Sequence, residues 1–134
     1  MKWFSDIAKP ALIRMLPDVG DEGLAGLKKR LADSQYNIFY NAPLLIFVSG
    51  MKAQFAIYDC SMAAQNMMLA AYSLGIGSCW IGTAVAMAND PKYKAELSIP
   101  EDHDVHAAVI FGYPKGGFPK APEKRPAVIL KRID

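Results

Sequence analysis

The chain reads as an α+β or α/β protein. Three features predict this: helical segments with apolar faces, short apolar runs of strand length between them, and Gly, Pro or Asn at most junctions. Its 134 residues fit one domain, taken as residues 1–134. The composition is 52% hydrophobic, enough for a core and too apolar for a disordered chain.

The segment from Trp3 to Leu16 has helical character, with Pro10 as an expected break or kink. Asp18-Val-Gly-Asp21 reads as a loop. Asp21 and Glu22 then stand at the positive end of a helix running to about Ala32. Leu24, Leu27 and Leu31 recur on one face of that helix, with Lys28, Lys29 and Arg30 on much of the rest. Asn41-Ala-Pro43 breaks the chain before Leu44-Leu-Ile-Phe-Val48, an apolar run expected to be a strand buried on both faces. Gly50 to Gln54 reads as a polar connection.

Asp59 is the expected N-cap of a helix that runs to about Leu74 and stops at Gly75. This helix is apolar almost all round, which predicts burial by the domain or by a partner subunit. Gly75, Gly77 and Gly82 bracket a short Cys-Trp-Ile strand. Asn89-Asp-Pro91 places a capping side chain and then Pro at the start of a helix ending near Leu97. Pro100-Glu-Asp102 is a turn, Val105 to Phe111 a strand, Lys115 to Pro126 a Gly/Pro/Lys-rich loop, and Ala127 to Ile133 an expected terminal strand.

The net charge of +2 gives no reason to expect a nucleic-acid partner. The basic excess is local: Lys115–Asp134 holds six Lys or Arg against two acidic residues, and the rest of the chain nine against eleven. Such a tail is open to two readings, a solvated surface or a contact for an anionic ligand. Cys60 and Cys79 form no CxxC pair, and their apolar neighbours predict two buried thiols in a reducing compartment. With neither a signal peptide nor an apolar run of membrane-spanning length evident, a soluble, cytoplasmic protein is expected. His103 and His106 lack further ligands nearby, so no metal site is assigned. No Ser/His/Asp constellation is visible.

An ordered set of segments carries the functional signal. Asn41-Ala-Pro43 leads into a strand. A helix containing Ala64-Gln-Asn-Met-Met-Leu-Ala-Ala71 runs directly into Leu74-Gly-Ile-Gly-Ser-Cys-Trp-Ile-Gly82. Ile99-Pro-Glu-Asp102, Val105-His-Ala-Ala-Val-Ile-Phe-Gly-Tyr-Pro114 and the basic Pro122-Glu-Lys-Arg-Pro126 follow. Each piece is common, but the series in this order, from about Tyr36 onward, resembles the nitroreductase family of flavoenzymes. The resemblance implies an α+β fold with a central antiparallel sheet, a homodimer with FMN at the subunit interface, and a C-terminal strand exchanged between subunits. It also implies transfer of reducing equivalents from NADH or NADPH to a nitroaromatic, quinone or similar acceptor.

By the same resemblance, Trp80, Ile81, Gly82 and Thr83 lie against the isoalloxazine ring, with the Gly82 and then the Thr83 amide as candidate partners of its N5. Lys124 and Arg125 fall where the family carries a cation for the FMN phosphate, a role that suits the fork of arginine. The three glycines are equally open to a reading as plain turn residues. No side chain is assigned as catalytic, because the cofactor carries the chemistry. The family's N-terminal Arg-Arg-Ser-x-Arg-like motif has no counterpart between Met1 and Tyr36. A shortened N-terminus and a weaker phosphate grip are therefore expected. The alternative function is a flavin-free dimeric remnant, or a module that binds flavin without turnover.

Overall fold

A strand late in the chain organises the molecule. In the computed structural model, which describes residues 1–17 and 20–133, β3 (His103–Gly112) lies between β1 (Leu44–Met51) and β2 (Gly77–Trp80). Both neighbours run antiparallel to it, giving the order β1-β3-β2. The apolar run of β3 has two buried faces. Ala108 and Ile110 enter one core, and Ala107, Val109 and Phe111 the other. The period-two alternation of a strand produces this division. Near its start, β3 carries a bulge: Val48 pairs with Ala107 and Ser49 with Val105, leaving His106 unmatched. His106 Nε2 is buried with no hydrogen-bond partner among the described residues.

The first face is covered by α1 (Lys2–Met15), α2 (Glu22–Ala32) and α4 (Gly82–Ala88). A break or kink was expected at Pro10; the helix α1 runs through it without a break. Proline removes one helical hydrogen bond, but anchors flank it here. Phe4, Ala8 and Leu12 are buried, and Lys9 Nζ donates to the carbonyls of Asp33 at 3.0 Å and Tyr36 at 2.8 Å. Asp21, expected near the positive end of α2, is its N-cap, accepting from the Gly23 amide at 2.7 Å and the Leu24 amide at 3.2 Å. Of the expected loop Asp18-Val-Gly-Asp21, Asp18 and Val19 lie outside the described residues. At the centre of this face Phe4 and Phe39 stack with ring centroids 5.9 Å apart.

The second face is covered by α3 (Ala56–Ser73). It begins three residues before the expected cap, so Asp59 lies in its first turn and Phe55 occupies the N-cap position without a side-chain bond. The carboxylate still favours the positive helix end. Leu74 ends the helix and Gly75 follows at φ +75°, a left-handed stop suited to glycine. The expectation that α3 is buried all round does not hold within one chain. Ala56, Cys60, Ala64 and Ala71 are buried, whereas Ile57, Tyr58, Met62, Leu69 and Tyr72 are exposed. One helix laid on one sheet hides only the stripe that faces it.

Two strand expectations also change. As an outer strand, β1 is half-buried where both faces were expected buried, and it continues to Met51 into the expected connection. Ala127–Ile133 forms no strand: these residues are irregular and exposed, because a lone segment has no ladder to join. The helix α5 (Pro91–Glu96) starts as expected, with Asp90 accepting from the Lys92 amide at 2.9 Å. Asn89 ties the end of α4 to β3. Its side chain accepts from Val105 N and donates to Val105 O, both at 2.8 Å.

Candidate functional site

The end of β2 opens onto a cavity of about 520 Å³ beneath the α1–α2 hairpin, within the size range of small-molecule sites. Leu12 of α1, Leu16 just after it, and Leu27 and Leu31 of α2 form one wall, Tyr36 and Tyr40 an edge, and Cys79 through Thr83 the floor. Among the described residues lining it, none carries a charged side chain.

Local structure explains how the floor is presented. Trp80 pairs with Val109, and the Ile81 amide donates to Ala108 O at 2.8 Å, holding the chain onto β3 for one more residue. The Ile81 side chain is buried in the core and anchors the segment. At Gly82 the chain turns into α4, a seven-residue helix that the sequence analysis did not anticipate. First-turn amides of a helix have no intrahelical acceptor. Neither the Gly82 nor the Thr83 amide has an acceptor among the described residues. Trp80, Gly82 and Thr83 are all exposed here.

The three glycines separate on structural grounds. Gly75 needs its positive φ. Gly77 sits in a close strand approach, where a Cβ would meet Gly112 O at 3.2 Å. Gly82 has neither reason: its φ is ordinary, and a Cβ would touch only the Trp80 indole at 3.8 Å. A left-handed turn thus accounts for Gly75 and close strand packing for Gly77, which leaves Gly82 free to admit something from outside the chain.

The structure brings Trp80, Ile81, Gly82 and Thr83 together on one cavity and leaves Lys124 and Arg125 in the irregular, exposed tail, where they do not line it. Cys79, expected to be buried, is exposed at the cavity because β2 is an outer strand. Cys60 is buried as expected, and burial pushes its thiol pKa up. His103 Nδ1 lies 2.8 Å from Asp102 Oδ1, and that partner holds the Asp102 carboxyl below its usual value. Among the described residues, no group of His, Cys, Asp or Glu forms a metal site.

The sequence analysis missed Tyr36 and Tyr40. Their rings meet edge to face at 6.3 Å. Burial first, and the Tyr40 hydroxyl second, raise the Tyr36 phenol above its usual pKa. Two tyrosines at helical spacing beside the Asn41-Ala-Pro43 breaker were the available signal.

The model of the nitroreductase family matches residues 6–113. The chain belongs to the nitroreductase family. The match takes in α1 and α2, upstream of Tyr36, and ends before the basic tail. Among solved structures, the chain is similar to a nitroreductase with bound FMN from Bacteroides fragilis. That likeness has a TM-score of 0.75 at 31% identity, covering 99% of this chain and 70% of that one. An FMN-dependent nitroreductase from Clostridium difficile R20291 gives 0.69 at 25% identity, covering 98% and 72%. In sequence, a nitrobenzene nitroreductase from Ectopseudomonas oleovorans is 31% identical over 97 residues, which are 70% of this chain and 41% of that relative. The α+β nitroreductase-like fold, with its antiparallel sheet between helices, is thus the family's own.

Proposed function

We propose that this nitroreductase-family chain is an FMN-dependent oxidoreductase passing reducing equivalents from NADH or NADPH to a nitroaromatic, quinone or similar acceptor. The observation that carries the reading is the cavity floor. Two adjacent amides, Gly82 and Thr83, lack acceptors among the described residues, at a glycine for which the fold has no steric need and on the floor of an apolar cavity. These are the features a planar heteroaromatic ring with hydrogen-bond acceptors requires. The FMN bound by the Bacteroides fragilis relative supports the same reading.

FMN, when bound, supplies the hydride and electron transfer. The chain supplies the setting. Gly82 and Thr83 would donate backbone hydrogen bonds to the ring, Trp80 and Ile81 would wall it from water, and Lys124 and Arg125 would hold the phosphate. The last two lie outside the cavity, which suits a tail reaching the site of a second copy. A homodimer agrees with the apolar residues that one chain leaves uncovered: Met62, Leu69 and Tyr72 on α3, and Val128, Ile129 and Leu130 on the tail.

The test is the visible absorption spectrum of the purified protein after incubation with FMN and desalting. A retained flavin band that bleaches with NADH or NADPH is the expected result. A folded dimer that retains no flavin would overturn the reading in favour of a non-catalytic module.

A further inference from the structure

We infer that Tyr40 is a positioning residue for a neutral, planar aromatic acceptor in the cavity over Trp80 and Gly82. The inference rests on the flavin site and acceptor proposed above and adds the residue that orients the acceptor on the open side.

Tyr40 and Asn41 both have left-handed backbone, with φ of 51° and 58°. The Ala42 amide donates to Phe39 O at 2.9 Å across them, so the pair forms the centre of a mirror-type turn. Such turns favour Asn-Gly, and a bulky aromatic residue at positive φ is an outlier. A buried side chain braces the turn. Asn37 accepts from the Phe39 amide at 3.0 Å and donates to Asn41 Oδ1 at 2.9 Å. The strain obtains little burial in return, since Tyr40 remains 62% exposed. Core packing therefore does not explain a tyrosine here.

Its location does. Tyr40 stands on the ridge between the apolar cavity and a second, shallower one lined by Pro43, Ser78 and Tyr113, so its ring edges the mouth of the first. The first cavity offers hydrocarbon, two phenols and an indole, and no charge among the described residues. A neutral aromatic ligand stacks there without stripping water from an ion, whereas a carboxylate would meet no cationic side chain among the described lining residues. Held strain at a ligand mouth is a known functional pattern.

The experiment titrates menadione into the full chain, with and without FMN, in Tyr40→Gly, Tyr40→Phe and the unsubstituted protein. Binding is read from quenching of Trp80 fluorescence in a Trp3→Phe background and, in the FMN-loaded protein, from perturbation of the visible band. Thermal stability is read in parallel. Tyr40→Gly relieves the left-handed strain, so it should melt at the same temperature or higher while binding menadione roughly three- to ten-fold more weakly. Tyr40→Phe should keep most of the affinity, and para-nitrobenzoate should bind the unsubstituted protein more weakly than nitrobenzene. Undiminished menadione binding in Tyr40→Gly would overturn the inference. So would a parallel loss of stability and binding, which marks a structural role, or no menadione binding by the unsubstituted protein. Tyr40-dependent quenching in a protein that retains no FMN would sink the flavin reading alone.

Discussion

The two faces of the sheet are equally apolar in sequence and unequally covered in structure. On one face α1, α2 and α4 enclose Phe4, Leu12, Leu31, Phe39, Met87 and Ile110. On the other, α3 rests on Ala107, Val109 and Phe111 through Ala64 and Ala71. Large side chains fill the space between layers on the first face, whereas alanines draw the helix close to the sheet on the second. The first face is a finished core with a ligand-sized cavity at its edge. The second buries a thin stripe and turns Met62, Leu69 and Tyr72 outward, which is the surface a second copy would cover. The lesson is that an apolar helix reports how much surface must be hidden and leaves open which molecule hides it.

Four perturbations would break or sharpen this contrast. Phe39→Ala strikes the thick side, where the ring is fully buried and stacked on Phe4. It should cost about 3–5 kcal/mol in a denaturant titration. If the loss is under about 1 kcal/mol, this face is not the main core. Met62→Glu with Leu69→Glu strikes the outward side of α3. For the proposed homodimer, light scattering should show the double variant as a monomer with the circular dichroism of the fold retained. An unfolded product would mean that the exposed stripe stabilises the single chain.

Ala64→Leu tests how close α3 lies. With Ala64 fully buried, the larger side chain should overpack the thin side and cost about 1–3 kcal/mol by the same titration. A neutral result would show slack between helix and sheet. The smallest effect is expected at the rim of the thick side. The Lys2 ammonium first, and Lys9 second, hold the exposed Asp6 carboxyl below its usual pKa. A folded-state pKa below the unfolded one stabilises above the unfolded value, and that gain is lost as pH falls through the folded value. Asp6→Asn should therefore lower the urea midpoint slightly at neutral pH and leave it unchanged at about pH 2.5. A difference that persists in acid would trace to packing or helix effects instead of charge.

Much of the fold was readable residue by residue. Asp21 announced its helix through its charge and Asn89-Asp-Pro91 through a capping side chain, Gly75 stopped α3, and the apolar run from Val105 to Phe111 became the central strand. The segment from Trp80 to Thr83 was singled out by family resemblance as the candidate ring contact, and the structure places all four residues on one cavity. Other features had no local signature. The α4 helix is short, uncapped by a side chain and begins at glycine, so nothing in its own residues distinguishes it from a loop. Cys79 looked buried because its neighbours are apolar, but an outer strand decided its exposure. Tyr40 entered the site through a left-handed turn that its residue type opposes.

The sequence by itself determined where helices start and stop, which segments are apolar and to which family the pattern is similar. Caps, breakers and periodicity act over a few residues and are written locally. The tertiary structure decided that α1 survives Pro10, that α3 buries one stripe, and that two tyrosines and a glycine meet around one cavity. Those outcomes depend on contacts between residues far apart in the chain, such as Lys9 with the Tyr36 carbonyl and Ile81 with Ala108, and packing settles such contacts only once the elements have come together.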